Sequence, residues 1–163
     1  MTTTLLLPEN ALAVNDTAPF IALTISLRTS LSALSEDGGT ANRQVRAEAA
    51  RLGLDPSVAT HWLYSGLSGH PDDEFDLDIA LPIGSSAAVT PGSPFAIRNV
   101  PAFRCAQYTY TGSWSALAQV YAALFQQFYA DDHVYDGRVR EIYRVVDLEN
   151  TDNCVTDIQI GIA

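Results

Sequence analysis

His61-Trp62-Leu63-Tyr64 and Arg140-Glu141-Ile142-Tyr143 decide the fold, because the second stretch repeats the first 79 residues later. Under that shift Leu63 falls on Ile142 and Tyr64 on Tyr143. Asp73 falls on Asp152, Asp78-Ile79 on Asp157-Ile158, Leu81 on Ile160 and Ile83 on Ile162. The helical stripe follows the same offset, with Ala41 on Val120, Val45 on Leu124 and Ala49 on Phe128. An offset that preserves both helix face and strand parity indicates a duplicated strand–helix–strand–strand unit. The expected class is α+β, in one domain over 1–163 built from repeats at about 18–84 and 95–162. Units this small bury a core poorly alone. They are expected to pair about a pseudo-twofold axis into one curved antiparallel sheet. Two helices would cover one face, the other would be concave and partly open, and a ligand cleft would lie at the axis.

Outward from these strands, Phe20 to Leu27 is β-rich, and Phe75 to Ile83 alternates apolar and polar residues at period two. Ser35 to Gly39 reads as a loop, and Thr40 as the N-cap of a helix over 40–52. Gly53 and Pro56 end that helix. In the second half, 94–100 is an edge strand and 102–111 a stronger one. Gly112-Ser113 opens a helix with its stripe at Leu117, Val120, Tyr121, Leu124, Phe125 and Phe128. Strands over 139–146 and 155–162 close the chain, and 84–94 is a Ser/Gly/Pro-rich linker.

The 163 residues carry nineteen acidic and nine basic side chains, for a net charge of −10. Every basic residue is Arg, so lysine Schiff-base chemistry and P-loop phosphate binding are excluded. An acidic chain also argues against direct nucleic-acid binding. Cys105 and Cys154 form no CxxC or Cys/His cluster, so no metal site is expected and both read as free thiols. Residues 1–8 lack a basic n-region, and no apolar run approaches a membrane span. A cytoplasmic protein without membrane contact is expected. About 17 residues precede the first strand, so no helix-turn-helix is expected ahead of it. The acidic run around Asp72, Asp73, Glu74, Asp76 and Asp78 lacks calcium-loop spacing and reads as a solvated turn. His61, on the parity of Leu63, is expected on the helix side of its strand as a structural histidine.

Strand parity places Trp62 and Tyr64 on one face of their strand, and Glu141 and Tyr143 on the corresponding face of theirs. Leu63 and Ile142 are expected to face the helices, so the four site residues converge on the open face. Tyr108 and Tyr110 share a face of a neighbouring strand and join the candidate wall. An aromatic wall around one carboxylate suits a lipophilic cation, since ring faces attract it and the acid supplies the counter-charge.

Gly112-Ser113-Trp114 before an amphipathic helix, then Arg140-Glu141-Ile142-Tyr143, then Thr156-Asp157-Ile158-Gln159-Ile160, resemble the GyrI-like small-molecule-binding family. This is the effector-binding domain also found in AraC- and MerR-type regulators. The resemblance spans roughly 18–162 and implies a duplicated fold with a cleft between the halves. It implies binding of bulky cationic or aromatic drugs, with Glu141 matching the acidic residue of the family's Glu-x-Tyr pattern. Tyr110 stands where the family often has His, and Trp114 where a smaller aromatic is more usual. The expected ligand set is Glu141, Tyr143, Trp62, Tyr64, Tyr108, Tyr110 and Trp114. The primary function would be drug binding or sequestration, as in antibiotic resistance, without a cofactor. A second reading is a hydrolase of cyclopropane-bearing toxins using Glu141 and a Tyr, with Tyr143 among the candidates. A third is a protein-interaction inhibitor such as a gyrase modulator. The expected partners are a small cationic or aromatic molecule and, on the third reading, a protein, with the chain monomeric or weakly dimeric.

Overall fold

Two connections of two residues each dictate the shape of this molecule, a computed structural model describing residues 11–84 and 87–163. The strands are β1 (Ala13–Thr17), β2 (Phe20–Ser30), β3 (His61–Ser65), β4 (Glu74–Pro82), β5 (Phe95–Val100), β6 (Phe103–Thr111), β7 (Tyr135–Val145) and β8 (Val155–Ile162). The helices are α1 (Leu34–Arg51) and α2 (Leu117–Ala130), the latter entered through a 3₁₀ turn at Trp114–Ala116. All eight strands form one antiparallel sheet in the order β1-β6-β8-β7-β3-β4-β2-β5. In that order β5 and β6 lie six strand spacings apart, about 29 Å on a flat sheet. Yet only Pro101 and Ala102 join them, a reach of about 11 Å between Val100 and Phe103 Cα atoms. The β1–β2 connection through residues 18–19 sets the same requirement. The sheet therefore curls until its two ends approach.

Register shows which face lies inside the curl. Leu23, Ile79, Leu81, Trp62, Tyr64, Val139, Glu141, Ile158, Ile160 and Ala106 share one face through successive strand pairs. Both helices pack there. α1 buries Ala41, Val45 and Ala49 against Leu23, Ile25, Leu77 and Ile79. α2 buries Val120, Leu124 and Phe128 against Ala106, Ile158 and Ile160. From the other face Arg140 reaches the β5–β6 junction. Its Nη2 donates to Pro101 O at 3.2 Å, and its guanidinium lies 4.1 Å from the Phe103 ring centroid. The helix-free face is therefore concave.

Several expectations change at this level. Helix α1 starts at Leu34, not at Thr40, and its N-cap Ala33 gives no side-chain cap. Gly38 and Gly39 lie inside it, although Gly weakens helices. A Cβ at Gly38 would stand 2.6 Å from the Trp62 ring, so this glycine is where indole and helix backbone meet. The C-terminus ends as expected. Gly53 adopts φ +75°, its N–H donates to Ala50 O, and Leu54 N–H donates to Ala49 O at 2.8 Å. Strand β1 was not expected. Its residues, Ala-Val-Asn-Asp-Thr, are almost all exposed and carry little periodic signal, but it pairs with β6 along its whole length. Both cysteines are free and buried. Among the described residues no helix is long and apolar enough to cross a membrane, and no group of metal-ligating side chains forms. The reading of residues 1–8 lies outside the described residues.

His61 lies on the concave face, not on the helix side, because Trp62 beside it faces the helices. It packs against Phe20 with centroids 4.8 Å apart. Burial first, then the Arg144 and Arg140 charges, lower its pKa to about 4. The unfolded chain therefore binds a proton that the folded chain refuses between about pH 6.5 and 4. Stability from this site is complete above pH 6.5 and is lost as pH falls, by up to about 3 kcal/mol. Urea titrations of wild type and His61→Gln at pH 7 and pH 5 are expected to show a steeper loss in wild type. Equal losses would refute the assignment.

Candidate functional site

β3 and β7 meet at the centre of the sheet, where Trp62 is the direct cross-strand partner of Glu141. These two residues are also counterparts under the 79-residue shift, so the axis relating the halves passes between them. α1 lies over β2 and β4 to one side, and α2 over β8 and β6 to the other. Trp62, Tyr64, Glu141 and Tyr143 do share a face, as strand parity requires. That face is the one carrying the helices, not the open one. Leu63 and Ile142 point into the concave side instead. The assignment was inverted because both faces are apolar here. The curl buries Ala22, Ala80 and Val100, with Leu63 packed against them, and hydrophobicity no longer marks the helix side.

Glu141 is 4% exposed. Its Oε1 accepts from the hydroxyls of Tyr64 and Tyr143, both at 2.6 Å, and its Oε2 accepts from Tyr121 at 2.5 Å. Among the described residues it takes part in no ion pair. A carboxylate accepting three hydroxyl protons uses most of its acceptor capacity without meeting a cation. Burial, followed by the Glu141 charge, pushes the Tyr64, Tyr121 and Tyr143 phenols well above the ordinary tyrosine range. All three therefore keep their protons at neutral pH and stay donors.

Tyr121 reads from the sequence as helix core, yet its hydroxyl belongs to the site. Its position in the α2 stripe was recognised, and a phenol on a buried stripe needs an acceptor. Its counterpart under the 79-residue shift is Asn42 on α1, which accepts from the Trp62 indole at 3.4 Å. The two halves thus make the same helix-to-strand link with donor and acceptor exchanged. In one the strand residue donates to the helix; in the other the helix residue donates to the strand.

A row of rings covers one side of this centre. Tyr143 packs edge-on against Trp62 at 5.1 Å and against Trp114 at 5.6 Å. The Trp114 indole donates to Thr156 Oγ1 at 3.1 Å. Trp62, Tyr64 and Tyr143 are therefore gathered around Glu141, and Trp114 joins them through Tyr143. Tyr108 and Tyr110 are not. Ile158 stands between Tyr108 and Glu141 in the lateral row of the sheet. Tyr110 turns back to donate to Ser113 O at 2.8 Å and closes the turn at Gly112.

The family model for the GyrI-like small molecule binding domain matches residues 15–163. Among solved structures, the C-terminal domain of EcmrR superimposes with a TM-score of 0.72 at 14% identity, over 93% of this chain and 96% of that one. In the EcmrR–DNA complex the TM-score is 0.74 at 13% identity, and this chain spans 56% of the EcmrR chain. SAV2435 bound to tetraphenylphosphonium gives 0.62 at 12% identity, over 93% of each chain. A hydrolase encoded by lin2189 from Listeria innocua gives 0.61 at 14% identity, over 93% of this chain and 91% of that one. At such identities the likeness is one of fold. No curated protein matches the chain.

Proposed function

Because the chain belongs to the GyrI-like small molecule binding domain family, we propose that it binds a lipophilic aromatic cation over Glu141. One observation carries this reading: a carboxylate 4% exposed, held by three phenols and, among the described residues, paired with no positive group. Such an acid is costly to bury unless a cation joins it. Trp62, Tyr143 and Trp114 supply ring faces for the cation's substituents, at about 0.5–2 kcal/mol per contact. The ligand enters as this row parts, replacing ring–ring contacts with ring–ligand contacts. Tyr64 and Tyr121 hold the carboxylate in place. The tetraphenylphosphonium bound by SAV2435 is the chemical type in view. The chain would act as one ligand-binding unit of two repeats, about 18–84 and 95–162, that sequesters its ligand.

Trp62 and Trp114 are the two tryptophans of the chain, and both lie in the ring row. All tryptophan emission therefore reports on the site. Titration with tetraphenylphosphonium is expected to change that emission saturably. Neutral triphenylphosphine oxide is expected to bind at least about 10-fold more weakly, the equivalent of about 1.4 kcal/mol. Equal affinity for the two, or no change with either, would overturn the reading.

The three hydroxyls on one carboxylate favour a second reading, a hydrolase of electrophilic small molecules. Glu141 would take a proton from water, and Tyr64, Tyr121 or Tyr143 would return one to the leaving group. Turnover of a cyclopropane-bearing alkylator that disappears in Glu141→Gln supports it; binding without turnover sets it aside. An inhibitor of a larger protein would act through the acidic surface and be indifferent to Glu141.

A further inference from the structure

Behind Glu141, on the concave side of the sheet, lies a groove that the function above does not use. Consecutive β-strand residues leave opposite faces, so Arg140 enters this groove where Glu141 enters the other site. Its walls include Arg98, Arg138 and Arg140, with Thr24, Ser65 and Asp78. Arg140 is 5% exposed and takes part in no ion pair among the described residues. A guanidinium carries five donors. The protein acceptor found for this one is Pro101 O, with the Phe103 ring beneath. Burial lowers its pKa to about 10, so it remains charged at neutral pH. Arg98 is exposed and likewise unpaired among the described residues, whereas Arg138 is held by Asp136 at 2.7 Å. Asp78 is the carboxylate in the lining. Leu63 pairs with Asp78 on one side and with Arg140 on the other, which sets the acid and the arginine two strand spacings apart, about 9.6 Å. Their side chains form no ion pair among the described residues.

We propose that this groove is a second binding site, for a small monocarboxylate. Arg140 and Arg98 present planar donors that match a carboxylate. Leu63 and Val100 give its apolar part a floor. Asp78 opposes a second negative charge, which disfavours phosphate dianions. The groove encloses about 200 Å³, below the roughly 300–1,000 Å³ of pockets for drug-sized ligands. The net charge of −10 repels anions in general, so an anion bound here reports local structure and not bulk attraction.

The test is calorimetric titration of wild type, Arg98→Glu and Glu141→Gln with benzoate and with inorganic phosphate. Wild type is expected to bind benzoate saturably, and phosphate at least 10-fold more weakly. Arg98→Glu, at an exposed position and expected to keep the wild-type melting temperature, is expected to weaken benzoate at least 10-fold. Glu141→Gln is expected to retain it, which separates the groove from the site on the other face. Absence of saturable benzoate binding, phosphate binding as tightly as benzoate, an unaffected Arg98→Glu, or loss in Glu141→Gln would each overturn the proposal.

Discussion

Glu141→Gln is expected to weaken tetraphenylphosphonium binding by about 30-fold or more while leaving the fold intact. Removing one partner of a buried, hydrogen-bonded charge pair costs roughly 2–5 kcal/mol, and each 1.4 kcal/mol is a factor of ten. The amide keeps the volume of the acid. Its oxygen still accepts from Tyr64 and Tyr143, which both use Oε1, and its NH₂ meets the Tyr121 oxygen that Oε2 faced. The hydrogen-bond set therefore survives with one donor reversed, and the lost quantity is the charge. Neutral triphenylphosphine oxide, which gains nothing from the charge, is expected to change by less than about 3-fold. Fluorescence titration of both ligands against both proteins separates the two effects. Equal weakening for cation and neutral ligand would mean that Glu141 acts as a spacer and not as a counter-charge.

Phe128→Ala is expected to be the most damaging single truncation for stability. Phe128 is fully buried at the base of the α2 cluster, in edge contact with Phe125 and Tyr129. Phe→Ala changes in cores cost about 3–5 kcal/mol. For a domain of this size each kcal/mol lowers Tm by about 2–4 °C, so a fall of about 6–20 °C is expected. Its counterpart under the 79-residue shift is Ala49, also fully buried. In that half Ala49 belongs to one buried cluster with Leu23, Leu77 and Leu81. A fall of less than about 3 °C would show that the neighbouring rings collapse into the space.

The readability of this chain follows from what each signal encodes. The offset was legible because duplicated units preserve helix face and strand parity together, and α2 was legible because its stripe is continuous. The Gly53 C-cap was written locally. The start of α1 was not, because Gly38 and Gly39 look like a loop until the Trp62 ring is placed against the helix. β1 was missed for a related reason: its residues are mostly polar, and the partner strand that orders it is some ninety residues away. Within the site, Glu141, Trp62, Tyr64, Tyr143 and Trp114 are legible in the sequence, whereas Tyr121 reads as helix core. Tyr108 and Tyr110 were included on parity alone, which does not register the strand that intervenes between Tyr108 and Glu141.

By itself, the sequence determined that a strand–helix–strand–strand pattern occurs twice, and which side chains share a face, since both are periodicities of the local backbone. It also determined that one carboxylate replaces a tryptophan at the position nearest the axis. The tertiary structure decided which face the helices cover, because two-residue connections force the sheet to curl and bury its helix-free side as well. It also decided that Glu141 meets three phenols from three separate elements. Tyr143 lies two residues from Glu141 on the same strand, within reach of strand parity, but the Tyr121 contact depends on how α2 packs over the sheet, which no spacing along the chain encodes.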